Sequence, residues 1–172
     1  TRYNAPGARV MGLTLEGKMA YLTKFQLQAG VTLQQSHYSE PHVWNPDAPA
    51  VKKMMRTPNT YGYFTATYTP IKPLSIALSG TYTGSMLVPH EPVPGFLENP
   101  ITVNTKDFFD IGLKAAYDFK LYKSMNLQVN AGIQNIFNAY QNDFDKGADR
   151  DSGYIYGPSL PRSFFAGVKI SY

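Results

Sequence analysis

The chain has 172 residues, with 16 basic and 12 acidic side chains, a net charge of +4 and no cysteine. The lack of cysteine excludes disulfides and thiolate metal sites, and the basic residues are scattered along the chain, which argues against a nucleic-acid-binding protein. Charged residues make up 16% of the chain and aromatic residues 14%, whereas a typical soluble domain is about 25% charged. No apolar run approaches the ~20 residues of a membrane-spanning helix, so the composition is typical of a transmembrane barrel.

Apolar and polar residues alternate with a period of two along seven segments, which is the pattern of strands with a different environment on each side. Each segment is roughly ten residues long, enough for a tilted strand to cross a bilayer. In chain order the apolar positions are Met11, Leu13, Leu15, Met19 and Tyr21; Phe25, Leu27, Ala29, Val31 and Leu33; Phe64, Ala66 and Tyr68; Leu74, Ile76, Leu78 and Tyr82; Phe109, Ile111, Leu113, Ala115, Tyr117 and Phe119; Leu127, Val129, Ala131 and Ile133; and Phe164, Ala166, Val168, Ile170 and Tyr172.

Short and long connections alternate between these segments. In an up-and-down meander this alternation places short turns on one rim and long loops on the other, as in outer-membrane barrels. The sequence therefore predicts an all-β fold, a transmembrane antiparallel up-and-down β-barrel, with Tyr172 on the periplasmic side. The tight links run from Leu22 to Lys24, Pro70 to Pro73 and Lys120 to Ser124, and the long ones from about Ser36 to Arg56, Pro89 to Lys106 and Asn138 to Arg162.

A soluble ligand-binding β-barrel or a sandwich shows the same alternation and is an alternative. Two features favour the membrane. The polar positions hold Gln, Thr, Ser and Asn more than Lys and Glu, and aromatic residues such as Tyr21, Phe119 and Tyr172 stand near strand ends. Aromatic residues at those places suit the girdles at the membrane interfaces.

Two C-terminal motifs resemble those of TonB-dependent outer-membrane receptors. GIQNIFNAY, from Gly132 to Tyr140, is similar to the Asn-Leu-Phe-Asn/Asp pattern near the penultimate strand of that family. PRSFFAGVKISY, from Pro161 to Tyr172, is similar to its closing segment with a terminal aromatic residue. The tract between them, DFDKGADRDSGYIYGPSLPR, resembles more loosely the receptors of the Bacteroidetes group.

The resemblance implies that residues 1–172 are the C-terminal part of a larger barrel, about seven strands of roughly 22, with the plug and the earlier strands outside this chain. It implies that the terminal strand closes the barrel and is read by the barrel assembly machinery. The residues that carry this role are Phe164, Val168, Ile170 and Tyr172.

The function implied by the resemblance is uptake of a scarce nutrient, an iron-siderophore, haem or cobalamin, through the outer membrane of a Gram-negative bacterium. The implied partners are the lipid bilayer, the rest of the barrel and its plug, the TonB complex acting through the plug, a metal-chelate ligand and a surface lipoprotein. No constellation of catalytic residues stands in the sequence, so an enzyme is not expected. A passive porin or adhesin shares the barrel physics and is a further alternative.

The long connections carry the candidate ligand contacts, because function concentrates on loops held by a rigid scaffold. Imidazole and aromatic side chains there suit ring stacking or a metal-chelate ligand. The alternative is that these residues are solvated and have no role. The candidates are His37, His42, Trp44, His90, Tyr140 and Tyr154.

An acidic tract, NDFDKGADRDSG, offers oxygen ligands and predicts a calcium site, the one cofactor suggested by the sequence. The tract departs from an EF-hand, because Gly147 stands where a third ligand is expected and no Glu closes the frame. Lys146 and Arg150 partly neutralise the tract, which favours a hydrated, self-paired loop as the alternative. The predicted ligands are Asp143, Asp145, Asp149 and Asp151.

Overall fold

The computed structural model describes residues 7–122, 124–158 and 160–172. Within these ranges no helix is long and apolar enough to span a membrane. The regular structure there consists of antiparallel strands, which confirms the predicted all-β class. The strands are β1 (Ala8–Tyr21), β2 (Phe25–His42), β3 (Val51–Lys53), β4 (Thr60–Ile71), β5 (Leu74–Thr83), β6 (Leu87–His90), β7 (Ile101–Asn104), β8 (Phe108–Lys120), β9 (Asn126–Gln134) and β10 (Ser163–Ser171).

Seven long strands form one up-and-down sheet in the order β1-β2-β4-β5-β8-β9-β10. They correspond one for one to the seven segments predicted from the alternation. The short strand β3 pairs with β2, and β6 and β7 form a separate hairpin. Within the described residues β1 and β10 are the two edges of the large sheet.

The strand register collects the apolar positions of all seven strands on one face, called here the apolar face. A single row of facing residues crosses the whole sheet from β1 to β10. The neighbouring row, one residue along, belongs to the opposite or polar face and includes Lys18, Gln28, Thr65 and Ser79. The row on the apolar face is Met19, Leu27, Ala66, Leu78, Leu113, Ile133 and Phe164.

Neither face of the sheet is covered by a second layer. Leu13 is 60% exposed and Val168 is 66% exposed, although both belong to the apolar face. A soluble sandwich would bury such a face against another layer. The buried cluster lies instead at one rim of the sheet, where it consists of Val88, Phe108, Tyr154 and Tyr156.

The connections alternate between the two rims as the sequence predicts. Short links at 22–24, 72–73 and 121–125 lie at one rim, called the turn rim, and long connections at 43–59, 84–107 and 135–162 leave the other, called the loop rim. The first long connection begins later than predicted, because residues 36–42 continue β2 and pair with β1 and β3. Residue 123, part of the predicted Lys120 to Ser124 link, lies outside the described residues.

Three glycines of the sheet lie beneath aromatic rings of neighbouring strands. Tyr63 covers Gly30, and a Cβ on Gly30 would lie 2.7 Å from its ring. Phe165 covers Gly132 in the same way, and Phe64 covers Gly80. Such pairs of aromatic residue and glycine fix the register of a twisted sheet.

Candidate functional site

Two asparagines close the base of the long connection 135–162. Asn135 and Asn138 both adopt the left-handed conformation, with φ of 49° and 53°. Asn is one of the few residues that tolerates it. The amide of Asn135 donates to the carbonyls of Ala139 (3.0 Å) and Leu160 (2.9 Å) and accepts from the Ala139 N–H. Asn138 accepts from the Arg162 N–H at 2.9 Å, so both ends of the connection are bound together.

A buried histidine joins this connection to residues 84–107. His90, at the end of β6, is 5% exposed, and its Nε2 lies 2.9 Å from Oδ2 of Asp145. Its ring stacks flat on Tyr154, with ring centroids 3.8 Å apart. The backbone N–H of Asp151 donates to the same Asp145 oxygen at 3.1 Å. The His90 ring is therefore held by one hydrogen bond and one stacking contact, and Oδ2 of Asp145 has two partners.

Asp143 accepts hydrogen bonds from two tyrosines of the same connection. The Tyr154 hydroxyl donates to Oδ2 at 2.9 Å and the Tyr156 hydroxyl to Oδ1 at 2.5 Å. Burial acts to raise the pKa of Asp143, but these hydrogen bonds outweigh it and hold the pKa below its usual value. Burial and the bond to Asp143 raise the pKa of Tyr154 to about 12, and the same causes raise the pKa of Tyr156.

The three long connections are bound to one another at the loop rim. Arg56, from residues 43–59, donates to the carbonyls of Ile155 (3.0 Å) and Gly153. Asn45 donates to Glu91 of the second connection at 2.8 Å, and the Glu91 N–H donates to Asp151 of the third at 2.9 Å. The connections therefore form one interlocked assembly.

A pocket of about 490 Å³ opens in the surface of the third connection. Its wall is mainly aromatic and apolar, with Tyr140, Phe144 and Ile155 exposed on it. Arg150 adds one positive charge, and Asp145 and Asp151 add two carboxylates, of which Asp145 is paired with His90. Mostly apolar walls with a few polar groups are typical of ligand sites, and this pocket is the candidate functional site.

The same connection reaches back over the polar face of the sheet. Pro158 and Leu160 line a second pocket of about 260 Å³ together with Ser79, Thr81 and Asp110. Gly157 lies against the ring of Phe108 and has a φ of 81° that favours glycine. The loop therefore covers the polar face next to the loop rim and leaves the apolar face free.

Of the six predicted ligand contacts, the structure brings three together. Tyr140 and Tyr154 line the candidate site, and His90 stacks behind Tyr154. Tyr154 is only 3% exposed, and neither His90 nor Tyr154 is a solvated loop residue.

The placement of His37 and His42 in a loop is wrong. Both belong to β2, because this strand continues beyond the sheet to pair with β3. The ring of His42 lies 4.8 Å from that of Tyr38. Trp44 follows β2, and its indole N–H has no hydrogen-bond partner among the described residues.

The calcium prediction finds no support. Within the described part of the chain no group of three or more His, Cys, Asp or Glu side chains is arranged to hold a metal ion. The acidic tract is instead self-paired: Asp143, Asp145 and Asp151 accept hydrogen bonds from hydroxyl, imidazole and backbone groups of the protein. Asp149 is exposed.

The terminal strand presents its predicted closing residues on the apolar face of an edge strand. Phe164, Val168 and Ile170 are exposed there, and Tyr172 follows the last residue of β10. β10 pairs with β9 along its whole length and leaves its other edge unpaired within the described residues.

Sequence reasoning missed Tyr156, Gln141 and Arg56. Gln141 bonds both to the Tyr154 carbonyl (3.0 Å) and to the Tyr156 N–H (3.0 Å), so it holds the two tyrosines in place. The alternation of Tyr154 and Tyr156 around Ile155 was a signal that one side of this segment is buried. Arg56 gave no signal, because its partners lie about a hundred residues away.

No protein-family model matches the chain, and no curated protein matches it. Among solved structures it is similar to the closed form of the ferric-catecholate import receptor Fiu from E. coli K12, with a TM-score of 0.63 and 20% sequence identity. The fold is that of part of an antiparallel β-barrel wall. The match covers 94% of this chain and 20% of the receptor, so the chain spans about a fifth of that protein's length. It gives no support for the Bacteroidetes resemblance, which stays a prediction.

Proposed function

We propose that the chain is the C-terminal part of the barrel of a TonB-dependent outer-membrane receptor, and that this receptor imports a scarce nutrient. The observation that carries the proposal is the apolar row that crosses all seven strands with nothing packed over it. In water such a face would be an unusually large exposed apolar patch. In a bilayer it is the lipid-facing side of a barrel, and the polar face lines a hydrated bore.

Two further observations support an active receptor. The long connections share one rim, and the third folds over the polar face, where it would cover the mouth of the proposed bore. The fold neighbour imports ferric catecholates. In this proposal the remaining strands close the barrel against β1 and β10, because an open edge in lipid leaves backbone groups unsatisfied at several kcal/mol each. The plug, the TonB complex that acts on it and the barrel assembly machinery are the further partners.

The candidate site would contact the nutrient. Tyr140 and Phe144 provide flat aromatic surfaces, and Arg150 provides a cation beside them. The aromatic surfaces suit an iron chelate that carries aromatic rings, and Arg150 can contact a polar group of that chelate. An iron-siderophore of catecholate type is therefore the nutrient proposed, ahead of haem and cobalamin.

A passive porin or an adhesin is the second candidate. It has the same lipid-facing sheet, and the interlocked loop rim would then be only a constriction. The two are distinguished by energy dependence, because a passive pore passes its solute without the TonB complex.

The test is growth of the source bacterium on a ferric catecholate as sole iron source, with the receptor gene deleted and then restored. We expect growth to fail in the deletion strain and in a strain without TonB, and to return with the wild-type gene. Tyr140→Ala combined with Phe144→Ala should weaken uptake by about tenfold, since each aromatic contact contributes about 0.5–1.5 kcal/mol. Phe96→Ala is the matched control, because Phe96 is 78% exposed and lies outside this pocket. Growth that needs the gene but not TonB would favour the passive pore, and unchanged growth without the gene would contradict both.

A further inference from the structure

Three basic residues surround one pocket at the loop rim, and two of them, Arg9 and His37, belong to the apolar face. Arg9 lies directly opposite His37 in the register of β1 and β2, where facing Cβ atoms are about 5 Å apart. Lys52 belongs to β3, which pairs with this end of β2. All three are exposed and line one surface pocket of about 460 Å³, called here the basic pocket.

The basic pocket contains no counter-charge. Its other lining residues are neutral: Met11, Gln35, Tyr38 and Ser39. Among the described residues the one ion pair is that of His90 with Asp145, which lies outside the basic pocket. Arg9 and Lys52 therefore have no acidic partner among those residues, and the pocket has the charge that suits an anion.

The position of the basic pocket along the strands indicates which anion it can bind. Along β1 and β2 the apolar face shows Leu15 opposite Val31, then Leu13 opposite Leu33, then Met11 opposite Gln35, and finally Arg9 opposite His37. Arg9 lies two residues beyond Met11 toward the loop rim, which is about 7 Å along the strand. The distance along the membrane normal is shorter, because barrel strands are tilted. The polar headgroup layer beyond the hydrocarbon is about 5–8 Å thick on each side. Arg9 and His37 therefore stand at headgroup level when Leu13 and Leu33 contact acyl chains.

We propose that the basic pocket binds the phosphate group of an outer-leaflet lipid. The proposal rests on the proposed function, because it needs the apolar face to contact lipid and the loop rim to face outward. The Arg9 guanidinium donates two parallel hydrogen bonds to phosphate oxygens, and Lys52 adds a second positive charge. The long stems of both side chains lie along the protein wall while their charged ends reach the headgroup.

The experiment uses the full-length receptor in phosphatidylcholine nanodiscs that contain an increasing fraction of diphosphoryl lipid A. Native mass spectrometry measures the lipid A fraction at which half of the receptors hold one molecule. Each basic residue near an anionic surface contributes about 1 kcal/mol. Arg9→Gln combined with Lys52→Gln should therefore raise this fraction by about tenfold or more. The matched control is Lys18→Gln combined with Lys24→Gln, which removes the same charge from the polar face and the turn rim and should change nothing.

Dephosphorylated lipid A should not bind the wild-type receptor. Unchanged binding by the Arg9 and Lys52 variant, or equal binding of dephosphorylated lipid A, would overturn the proposal. Displacement of lipid A by millimolar inorganic phosphate would also overturn it, since it would indicate a site for a soluble anion. A spin label at Val31→Cys in the same nanodiscs reports separately on the proposed function: a label in contact with lipid, together with unchanged lipid A binding, contradicts the basic pocket alone.

Discussion

Asn135 and Asn138 give the Asn-Ile-Phe-Asn motif a physical meaning. Both adopt positive φ, and both amides cross the base of a connection of about 28 residues. Among side chains that tolerate this conformation, Asn alone offers both a donor and an acceptor at this reach. The motif therefore holds the loop rim in place.

Asn135→Gly is expected to loosen the connection without straining it. Glycine keeps the positive φ but loses three side-chain hydrogen bonds, each contributing about 1 kcal/mol. Asn135→Ala loses the same bonds and adds about 1 kcal/mol of strain. Hydrogen exchange of residues 139–158 in the full-length receptor measures the effect, and protection should fall by about two orders of magnitude for Gly and further for Ala. Asn142→Ala, at an exposed position, is the control; equal effects at both positions would contradict the role of Asn135.

The motif could be found in the sequence, but its role could not. A pattern of two asparagines does not reveal that their partners are Leu160 and Arg162, which follow more than twenty residues later. The same holds for His90. Its position in a long connection suggested solvent, whereas Asp145 and Tyr154 bury it from a different connection.

The seven long strands were predictable because successive side chains of a strand point to opposite faces of the sheet, so every second residue meets the same environment. The short strands β3, β6 and β7 were not. Each has three or four residues, too few to show a period, and β6 contains a proline. Their pairing depends on contacts within the loop rim and not on the environment of the sheet.

Gly132→Ala tests the pairing of β9 with β8 and β10. A Cβ at this position would meet the Leu113 carbonyl and the Phe165 ring, which lies 2.5 Å away. The carbonyl belongs to the neighbouring strand and cannot turn aside, so we expect the full-length receptor to lose about 1–3 kcal/mol of stability. Gly17→Ala is the matched control, because nothing lies within 4 Å of a Cβ there. Urea unfolding in lipid vesicles measures both, and equal midpoints would contradict the close approach.

The interlocked loops should open at both pH extremes. Asp143 has a lowered pKa in the folded state, so its stabilising contribution is complete above about 3.9, the usual aspartate value, and is lost as pH falls through the folded value. Tyr154 has a pKa raised to about 12, so its contribution is complete below the usual tyrosine pKa of 10.0 and is lost as pH rises from there to about 12.

Hydrogen exchange of residues 153–157, corrected for the intrinsic rate at each pH, measures this opening. Protection should decline below about pH 4 and above about pH 10. Asp143→Asn should remove the acid-side decline that is due to this carboxylate, whereas Asp149→Asn, at an exposed aspartate, should keep it. An acid decline that persists unchanged in Asp143→Asn would show that another group controls it.

At the scale of the whole molecule, the division between sheet and loops explains where the burial lies. The described residues form a sheet whose apolar face is bare and whose polar face is covered only next to the loop rim, and the loop rim holds the buried cluster. In the proposed function the sheet is a wall between lipid and a wet bore, and its specific contacts lie above the membrane. The sequence predicted the wall, because alternation reports the environment of each face. It could not predict the candidate site, because the pocket forms only when the third connection folds against the other two.

The proposed function depends on which face of the sheet contacts lipid. This chain contains no cysteine. Once any cysteine elsewhere in the full-length protein is replaced, single cysteines can carry spin labels at Val31, Leu113 and Val129 on the apolar face and at Gln28, Lys114 and Asn130 on the polar face, with the protein in vesicles. We expect labels on the apolar face to collide mainly with oxygen, which concentrates in acyl chains, and labels on the polar face to collide mainly with a water-soluble nickel chelate. The reverse pattern, or labels on the apolar face shielded from both reagents in a dry protein interior, would contradict the proposed function.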